Sequence, residues 1–453
     1  MSKYQSYTAY ASLWNKSFPS HWSVLPMYAL AKEKSICGCV DLPLLSVYLD
    51  VGVIPFSAKA EKRTNVTSKD LSKYQRVDCG DFVLNNQQAW RGSVGISFDT
   101  GIVSPAYIVL SMNDMLNSRY ANYLLRSRIM VDQYLINSKS VGSIQRNIYW
   151  PALKRTSVPV PPREEQDQIV RFLDWKVSSI NKLIRIRKRQ IEELEAIKRS
   201  SIGYLVMGQA QSVPQRDTEV NWVKTIPAHW NEKTLIQVAE EQQIKNAGMV
   251  EDNLLSLSYG KIINKDINTT DGLLPSSFEG YQIVHDGNII LRLTDLQNDH
   301  KSLRTGLVTQ TGIITSAYTC LKVRHNILPE YLQLQLHVAD LCKTFYGMGG
   351  GVRQSIGFTE IRKLVIAIPP VEEQQYILDR VHGIEEPINC AIQNIRDIIA
   401  GLEDLKTRLI SDAVTGKIDV RGIEIPEYEF VDEDNDNVDE NLEQGADEPP
   451  EEE

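Results

Sequence analysis

Pro161-Pro162-Arg163-Glu164-Glu165-Gln166 and Pro369-Pro370-Val371-Glu372-Glu373-Gln374 are two copies of one block, 208 residues apart. Paired prolines stop a strand and cannot sit inside a helix. Acidic residues follow at once, where the positive end of a helix favours them. After the first block, Ile169, Leu173, Val177, Ile180, Ile184, Ile191, Leu194 and Ile197 fall three, four or seven residues apart. After the second, Ile377, Val381, Ile384, Ile388, Ile392, Ile395, Ile399, Leu402, Leu405 and Leu409 keep the same rhythm. Heptads sustained this long predict a coiled-coil seam on two long helices, each reaching about 60 Å at about 1.5 Å per residue. Gly383, Pro387 and Gly401 fall inside the second helix and allow it to kink.

Working outward, the same offset recurs. Pro19, His21 and Trp22 return as Pro227, His229 and Trp230, and Trp14 returns as Trp222. Lys198 and Gly208 return as Lys406 and Gly416. Between these blocks the copies diverge but keep landmarks. Leu45-Ser46-Val47 resembles Leu255-Ser256-Leu257, and Gly101-Ile102 with Ala106-Tyr107 resembles Gly312-Ile313 with Ala317-Tyr318. A period this long is a duplicated domain rather than a solenoid unit.

Each copy opens with a mixed segment. Short β-branched runs, such as 44–49, 101–110 and 282–291, alternate with Gly and Asn. One helical stretch follows, expected over 119–134 in the first copy and 330–345 in the second. The expected fold class is α+β. Two homologous domains of mixed α/β structure are separated by two long antiparallel helices, pseudo-twofold from the duplication, with the domains at opposite ends of the pair. The alternative is that each helix packs on its own domain. The expected boundaries are 1–160 for the first mixed domain and 161–210 for its helix, then 211–368 and 369–425 for the second pair. Residues 426–453 are expected to form an acidic, disordered tail.

The chain has 453 residues and a formal net charge of −9, which misleads. Fourteen of its 58 acidic residues lie between Glu427 and Glu453, with no Lys or Arg among them, so the rest holds 44 acids against 49 bases. A mildly basic body is compatible with a nucleic acid partner. The tail serves solubility or touches a partner. No run of about 20 apolar residues predicts a spanning helix, and Met1–Tyr10 has no basic-then-apolar pattern of a secretory signal. Six scattered cysteines without a CxxC pair argue for reduced thiols rather than zinc or disulfides. A cytoplasmic chain is expected.

Catalytic signatures are lacking. There is no GxxxxGK[ST] loop for ATP. Phe345-Tyr346-Gly347-Met348-Gly349 imitates the FxGxG motif of methyltransferases, but it follows a helix instead of a strand. The Pro-Pro pairs lack the flanks of an adenine-methyltransferase motif. His21 and His229 show no recurring acidic or Cys partner in the sequence and are taken as packing elements. Glu195 and Lys198 read as an i,i+3 surface pair.

Base edges are read by bidentate groups, Asn or Gln for adenine and Arg for guanine. The first domain offers Asn85, Asn86, Gln87, Gln88 and Arg91 around Trp90, after the apolar run Phe82–Leu84. The plain alternative is an ordinary polar turn with Trp90 in the core. The second domain offers Arg292, Asn298, Lys301 and Arg304 in the matching region. A second pair of candidates lies at the Gly turns: Lys139, Gln145, Arg146 and Asn147, against Arg353 and Gln354. Glycine allows close backbone approach to phosphate, or serves only a tight turn. The basic run Arg185, Arg187, Lys188 and Arg189 on the first long helix is a solvated face, or meets DNA or an acidic partner.

With both PPxEEQ blocks, both Pro-x-His-Trp blocks and both Gly turns in place (Gly142 to Ile148 and Gly350 to Ile356), the chain resembles the specificity subunit of type I restriction-modification enzymes from Trp14 to about Gly422. The resemblance implies that each variable segment is a target recognition domain reading one half of a split DNA site. It implies that the long helices set the gap and dock two modification subunits, which methylate adenine with S-adenosylmethionine. Restriction subunits would add ATP- and Mg-dependent translocation and cleavage, so this chain binds no cofactor or metal of its own. The acidic tail lies outside the family pattern. A spacer of about 60 Å matches roughly 18 base pairs end to end, less once the domains are seated. Because the two domains differ, the two half-sites should differ. The other readings are a stand-alone bipartite DNA-binding or scaffolding protein, and an enzyme whose site escapes recognition.

Overall fold

The computed structural model describes residues 3–10, 17–49, 51–58, 70–141, 145–210, 212–267, 277–296, 299, 303–324, 326–348 and 356–431. The chain divides into two compact units. Among the described residues, unit 1 holds those up to 189 and those from 395 to 431, and unit 2 holds those from 190 to 394.

In unit 1 the strands β1 (Ser23–Pro26), β2 (Ala31–Lys34), β3 (Phe82–Asn85), β4 (Val94–Ile96) and β5 (Tyr107–Met112) precede helices α1 (Ser118–Arg126) and α2 (Arg128–Ile136). A hairpin, β6 (Ser138–Val141) and β7 (Gln145–Ile148), and strand β8 (Ser157–Val160) follow. The main sheet is antiparallel in the order β2-β5-β3-β4. Strand β8 pairs with β1, Val160 opposite Ser23. The single helical stretch expected from Arg119 is broken at Ser127, which sits at ψ 149°. Its hydroxyl donates to the Leu124 carbonyl at 2.6 Å, a side-chain bond that competes with helix continuation.

Unit 2 repeats the plan. Strands β9 (Asn231–Thr234), β10 (Ala239–Glu241), β11 (Ile289–Leu291), β12 (Thr305–Leu307) and β13 (Thr319–Val323) precede helix α3 (Pro329–Leu341) and strand β14 (Val365–Ile368). The sheet order β10-β13-β11-β12 reproduces that of unit 1, and β9 pairs with β14, Asn231 opposite Ile368. Both members of each pair keep the 208-residue offset. The apolar runs 101–110 and 282–291 each split into two strands around a turn. Landmarks that look unrelated in sequence touch: a Cβ on Gly101 would lie 2.6 Å from Leu45, and one on Gly312 would lie 2.7 Å from Leu255.

The two long helices are Arg163–Val206 and Val371–Val414, each of 44 residues. The second runs on through Pro387. They pair antiparallel within each unit. In unit 1, Phe172, Leu173, Ile180 and Ile184 share a core with Leu409, Ala413 and Val414, and Lys406 Nζ meets Asn181 Oδ1 at 3.5 Å. In unit 2, Ile202, Leu205 and Val206 share a core with Ile377, Leu378 and Val381, and Lys198 Nζ meets Asn389 Oδ1 at 3.1 Å. Ile197 and Leu405, read as seam residues, are instead half exposed.

The chain beyond the second helix does not leave the body at residue 426. Val431 is buried. It is held by Ser178 and Asn181 of the first helix. The remaining acidic residues lie outside the described ones.

Candidate nucleic-acid interface

The two PPxEEQ blocks hold the scaffold of each candidate interface. Glu165 receives Trp22 Nε1 at 3.1 Å and the Tyr4 hydroxyl at 2.5 Å, and its Oε2 lies 2.7 Å from His21 Nε2. Glu373 receives Trp230 Nε1 at 2.8 Å, with His229 Nε2 at 2.8 Å. The histidines therefore do have a recurring acidic partner, contrary to the expectation from sequence. It is hidden there because it lies 144 residues away in the chain, in both copies. Gln166 and Gln374 complete the block. Each donates back to the carbonyl of the proline five residues earlier and accepts a backbone N–H, from Asn117 and Leu328 respectively, ahead of α1 and α3. Gly208 and Gly416 close the scaffold at φ +69° and +72°. A Cβ there would lie 2.4 Å from Pro227 or Pro19 and within 3.0 Å of Trp230 or Trp22. This is why glycine ends both helices.

On this frame, unit 1 brings its two candidate groups together. The turn after β3 is folded on itself. Asn85 Oδ1 accepts from Gln87 N at 3.1 Å, and Trp90 Nε1 donates to the Gln87 carbonyl at 2.9 Å. The N–H of Ile148, at the end of the β6–β7 hairpin, donates to Asn86 Oδ1 at 2.9 Å. Gln87 and Arg91 are exposed, and Asn85, Asn86, Gln88 and Trp90 are half-buried. Trp90 is thus not a core residue, and Arg91 stacks 4.9 Å above it. In the hairpin Lys139 faces Asn147 and Ser140 faces Arg146. Lys139 is exposed, its ammonium 3.5 Å over the Tyr149 ring. Tyr149, itself exposed, is a residue the sequence reasoning missed, although it directly follows the hairpin. Arg146 and Asn147 are half-buried. The enclosed Asn147 Oδ1 has no hydrogen-bond partner among the described residues. Gln145 lies in β7, but its side chain falls outside the described set.

Unit 2 converges in the same way by different means. The Ile356 N–H donates to the Leu293 carbonyl at 3.0 Å, so the segment after the Gly turn rejoins the 292–299 loop. Arg292 is half-buried and sits 3.8 Å from Asp299. Asn298, Lys301, Arg353 and Gln354 lie outside the described residues. Arg304 is a correction: it is fully buried and does not face solvent. Its guanidinium donates to the carbonyls of Arg292 (3.1 Å), Thr294 (2.8 Å), Asp295 (3.4 Å) and Asp299, and to the Tyr346 hydroxyl (3.1 Å). Its backbone N–H donates to buried Asp340 at 2.8 Å, whose carboxyl is raised above the usual range by burial. Arg304 shapes the candidate loop from beneath. Lys343, exposed at φ 59° and with its ammonium 4.7 Å from the Tyr346 ring, was overlooked because nothing in the local pattern marks it. The Phe345-Tyr346-Gly347 imitation of a methyltransferase motif is a 3-10 turn with Phe345 in the core.

Unit 1 thus presents amide, guanidinium and ammonium groups on two neighbouring loops, and the described residues of unit 2 present the Arg292 guanidinium and the Lys343 ammonium. Such groups suit phosphate oxygens and base edges. Among the described residues all six cysteines are free thiols. No helix among the described residues is long and apolar enough to cross a membrane.

Comparison with known proteins agrees with this arrangement. The family described as type I restriction modification DNA specificity domain matches residues 39–196 and 305–399. The MjaVIII specificity subunit of a type I restriction enzyme from Methanocaldococcus jannaschii is 22% identical over 435 residues, covering 89% of this chain and 95% of its own. A second protein of that organism, assigned as the MjaX specificity subunit, is 24% identical over 380 residues, covering 79% and 82%. A chain from a solved structure concerned with complex assembly of the type I R-M system superposes with a TM-score of 0.60 at 15% identity, covering 88% and 99%. That likeness establishes the fold.

Proposed function

The chain belongs to the family of type I restriction modification DNA specificity domains, and from that premise we propose that it is the DNA recognition subunit of a type I restriction-modification complex, without catalysis of its own. It reads a bipartite, asymmetric DNA site, one half per unit. It docks two adenine-methyltransferase subunits and the restriction subunits, which carry S-adenosylmethionine, ATP and Mg, in the cytoplasm. One observation carries the reading. The duplicated scaffold is nearly invariant between the units, whereas the loops it supports are built differently. Unit 1 closes its loop through Asn86 and Ile148, and unit 2 through Leu293, Ile356 and the buried Arg304. A common frame with divergent polar loops is what two different half-sites require. Leu183, Ile186, Ile398 and Leu405, all about half exposed on the long helices of unit 1, suit a protein partner.

The test is methylation mapping of DNA from cells that co-express the chain with its modification subunit. Gln87→Ala with Arg91→Ala should relax one half of a split motif, and Arg292→Ala the other. Removing a side chain that reads one base costs about 1–3 kcal/mol of discrimination at that position. Loss of both halves together in either variant, or an unchanged motif in both, rejects the assignment of one half per unit.

A further inference from the structure

The C-terminal end of the second long helix, within unit 1, borders an open cleft of about 740 Å³. Asp404, Thr407, Arg408, Ser411 and Asp412 recur at three- and four-residue steps, so they share one helix face, and that face lines the cleft. Arg128 and Ile129, the first residues of α2, line it too, with Lys3 near the start of the chain and Lys417 and Ile418 just past the helix. Half-buried Ile129 and Ile418 give it apolar surface. A cleft of this order holds a nucleotide-sized molecule.

Its charge is one-sided. Lys3, Arg128, Arg408 and Lys417 stand against Asp404 and Asp412. Asp412 is shared, with Arg408 Nε at 3.6 Å and Lys417 Nζ at 3.2 Å. Arg128 pairs with Asp132 of its own helix at 3.5 Å. Lys3 has no ion pair among the described residues. The negative end of a helix draws basic side chains, which accounts for Arg408 and Lys417. It does not account for Lys3 and Arg128, which arrive from other parts of the chain.

Ser411 is a separate observation. It is only 9% exposed and lines the cleft. Its carbonyl accepts both the N–H and the hydroxyl of Thr415, but its own hydroxyl has no hydrogen-bond partner among the described residues. Buried polar groups are ordinarily bonded, so this hydroxyl is an unused donor for an anionic oxygen. The sister unit supplies an internal control. At the 208-residue offset, Arg408, Ser411 and Lys417 answer to Ser200, Gly203 and Gln209. The duplicated frame therefore folds without these cations and this hydroxyl.

We propose that the cleft is a binding site for phosphate groups. Lys3, Arg128, Arg408 and Lys417 supply the charge, and Ser411 Oγ donates a hydrogen bond. Asp412 holds Arg408 and Lys417 in place. Bonds from cationic donors to phosphate oxygens are the strong kind. The excess of two positive charges matches one phosphomonoester dianion or two backbone phosphodiesters. A free nucleotide or a nucleic-acid backbone supplies that chemistry. The site shares no residue with the candidate reading loops and does not depend on their assignment.

Calorimetric titration of the full chain at about 0.05 M salt tests it, with pyrophosphate, ATP and a short random-sequence duplex as separate probes. Arg408→Ser with Lys417→Gln installs the sister unit's residues and should weaken at least one probe about tenfold. Ser411→Ala should weaken the same probe about threefold. Lys32→Gln with Lys73→Gln removes the same charge from exposed positions that do not line the cleft, and should change it less than twofold. If the first pair lowers the urea midpoint of unit 1, Lys3→Gln with Arg128→Gln, both exposed, reads the same prediction. Loss for pyrophosphate and ATP identifies a free phosphate ligand, and loss for the duplex alone identifies backbone phosphate. An equal loss in the control pair means general charge attraction and overturns the site. So does binding unchanged in the cleft variants, or no binding of any probe.

Discussion

Arg304→Met replaces a buried guanidinium with an apolar chain of similar length. In the native fold that group supplies hydrogen bonds to four carbonyls and the Tyr346 hydroxyl. None of the guanidinium donors survives the substitution, and the buried Asp340 carboxyl loses a cation that stabilises its charged form. Removing one partner of a buried charged network costs about 3–5 kcal/mol, because the groups left behind stay desolvated. Unit 2 should therefore lose stability of that order, while unit 1 keeps its own. The assay is hydrogen exchange by mass spectrometry along a urea series. Peptides spanning 292–299 and 340–346 should lose protection first, and peptides from β3 and β5 of unit 1 should be unchanged. Arg304→Lys keeps the charge but not the planar fork, and should fall between. If Arg304→Met leaves unit 2 as stable as the parent while DNA binding collapses, the side chain is a DNA contact and its assignment as a buried latch is wrong.

Glu165→Ala strips the acceptor from Tyr4, Trp22 and His21. It should lower unit 1 stability by about 2–3 kcal/mol in urea titration, and Glu373→Ala should do the same to unit 2 alone. Gly416→Val places a side chain at φ +72° against Pro19 and Trp22. A loss of about 2 kcal/mol or more is expected, read as a lower urea midpoint. Burial pushes the His337 imidazole down to about 4 from an ordinary 6.5. A depressed pKa means that the unfolded chain binds the extra proton first. The stabilisation of neutral His337 is complete above about pH 6.5 and drains away as pH falls towards 4, by roughly 1–3 kcal/mol. His337→Gln should flatten that part of the pH–stability curve, and an unflattened curve removes His337 as its source.

The duplication was legible because it is written in residue types whose roles are local. Proline stops a strand, acid starts a helix, and glycine ends it. The structure then explains why those types recur together: Glu165 and Glu373 hold the His-Trp pairs, and Gly208 and Gly416 make room for them. The His–Glu pairing was also within reach of the sequence, since its 144-residue separation is the same in both copies. Arg304 was not. Its burial depends on Asp340 and Tyr346, 36 and 42 residues away, and an arginine beside a polar loop looks the same whether it faces solvent or the core. The break at Ser127 was equally hidden, because a serine inside an apolar helical rhythm shows its bond to the Leu124 carbonyl only once the turn has formed. Asn86 and Ile148 meet across 62 residues, so the convergence of the two candidate loops is a property of the fold.

The most direct test of the central claim is a domain exchange followed by methylation mapping. Residues 17–160 are replaced by the corresponding segment of a relative with a different target, and genomic adenine methylation is read with the modification subunit co-expressed. The account predicts that one half of a split motif changes while the other half and the gap stay as they were. A motif that changes in both halves, or not at all, contradicts it.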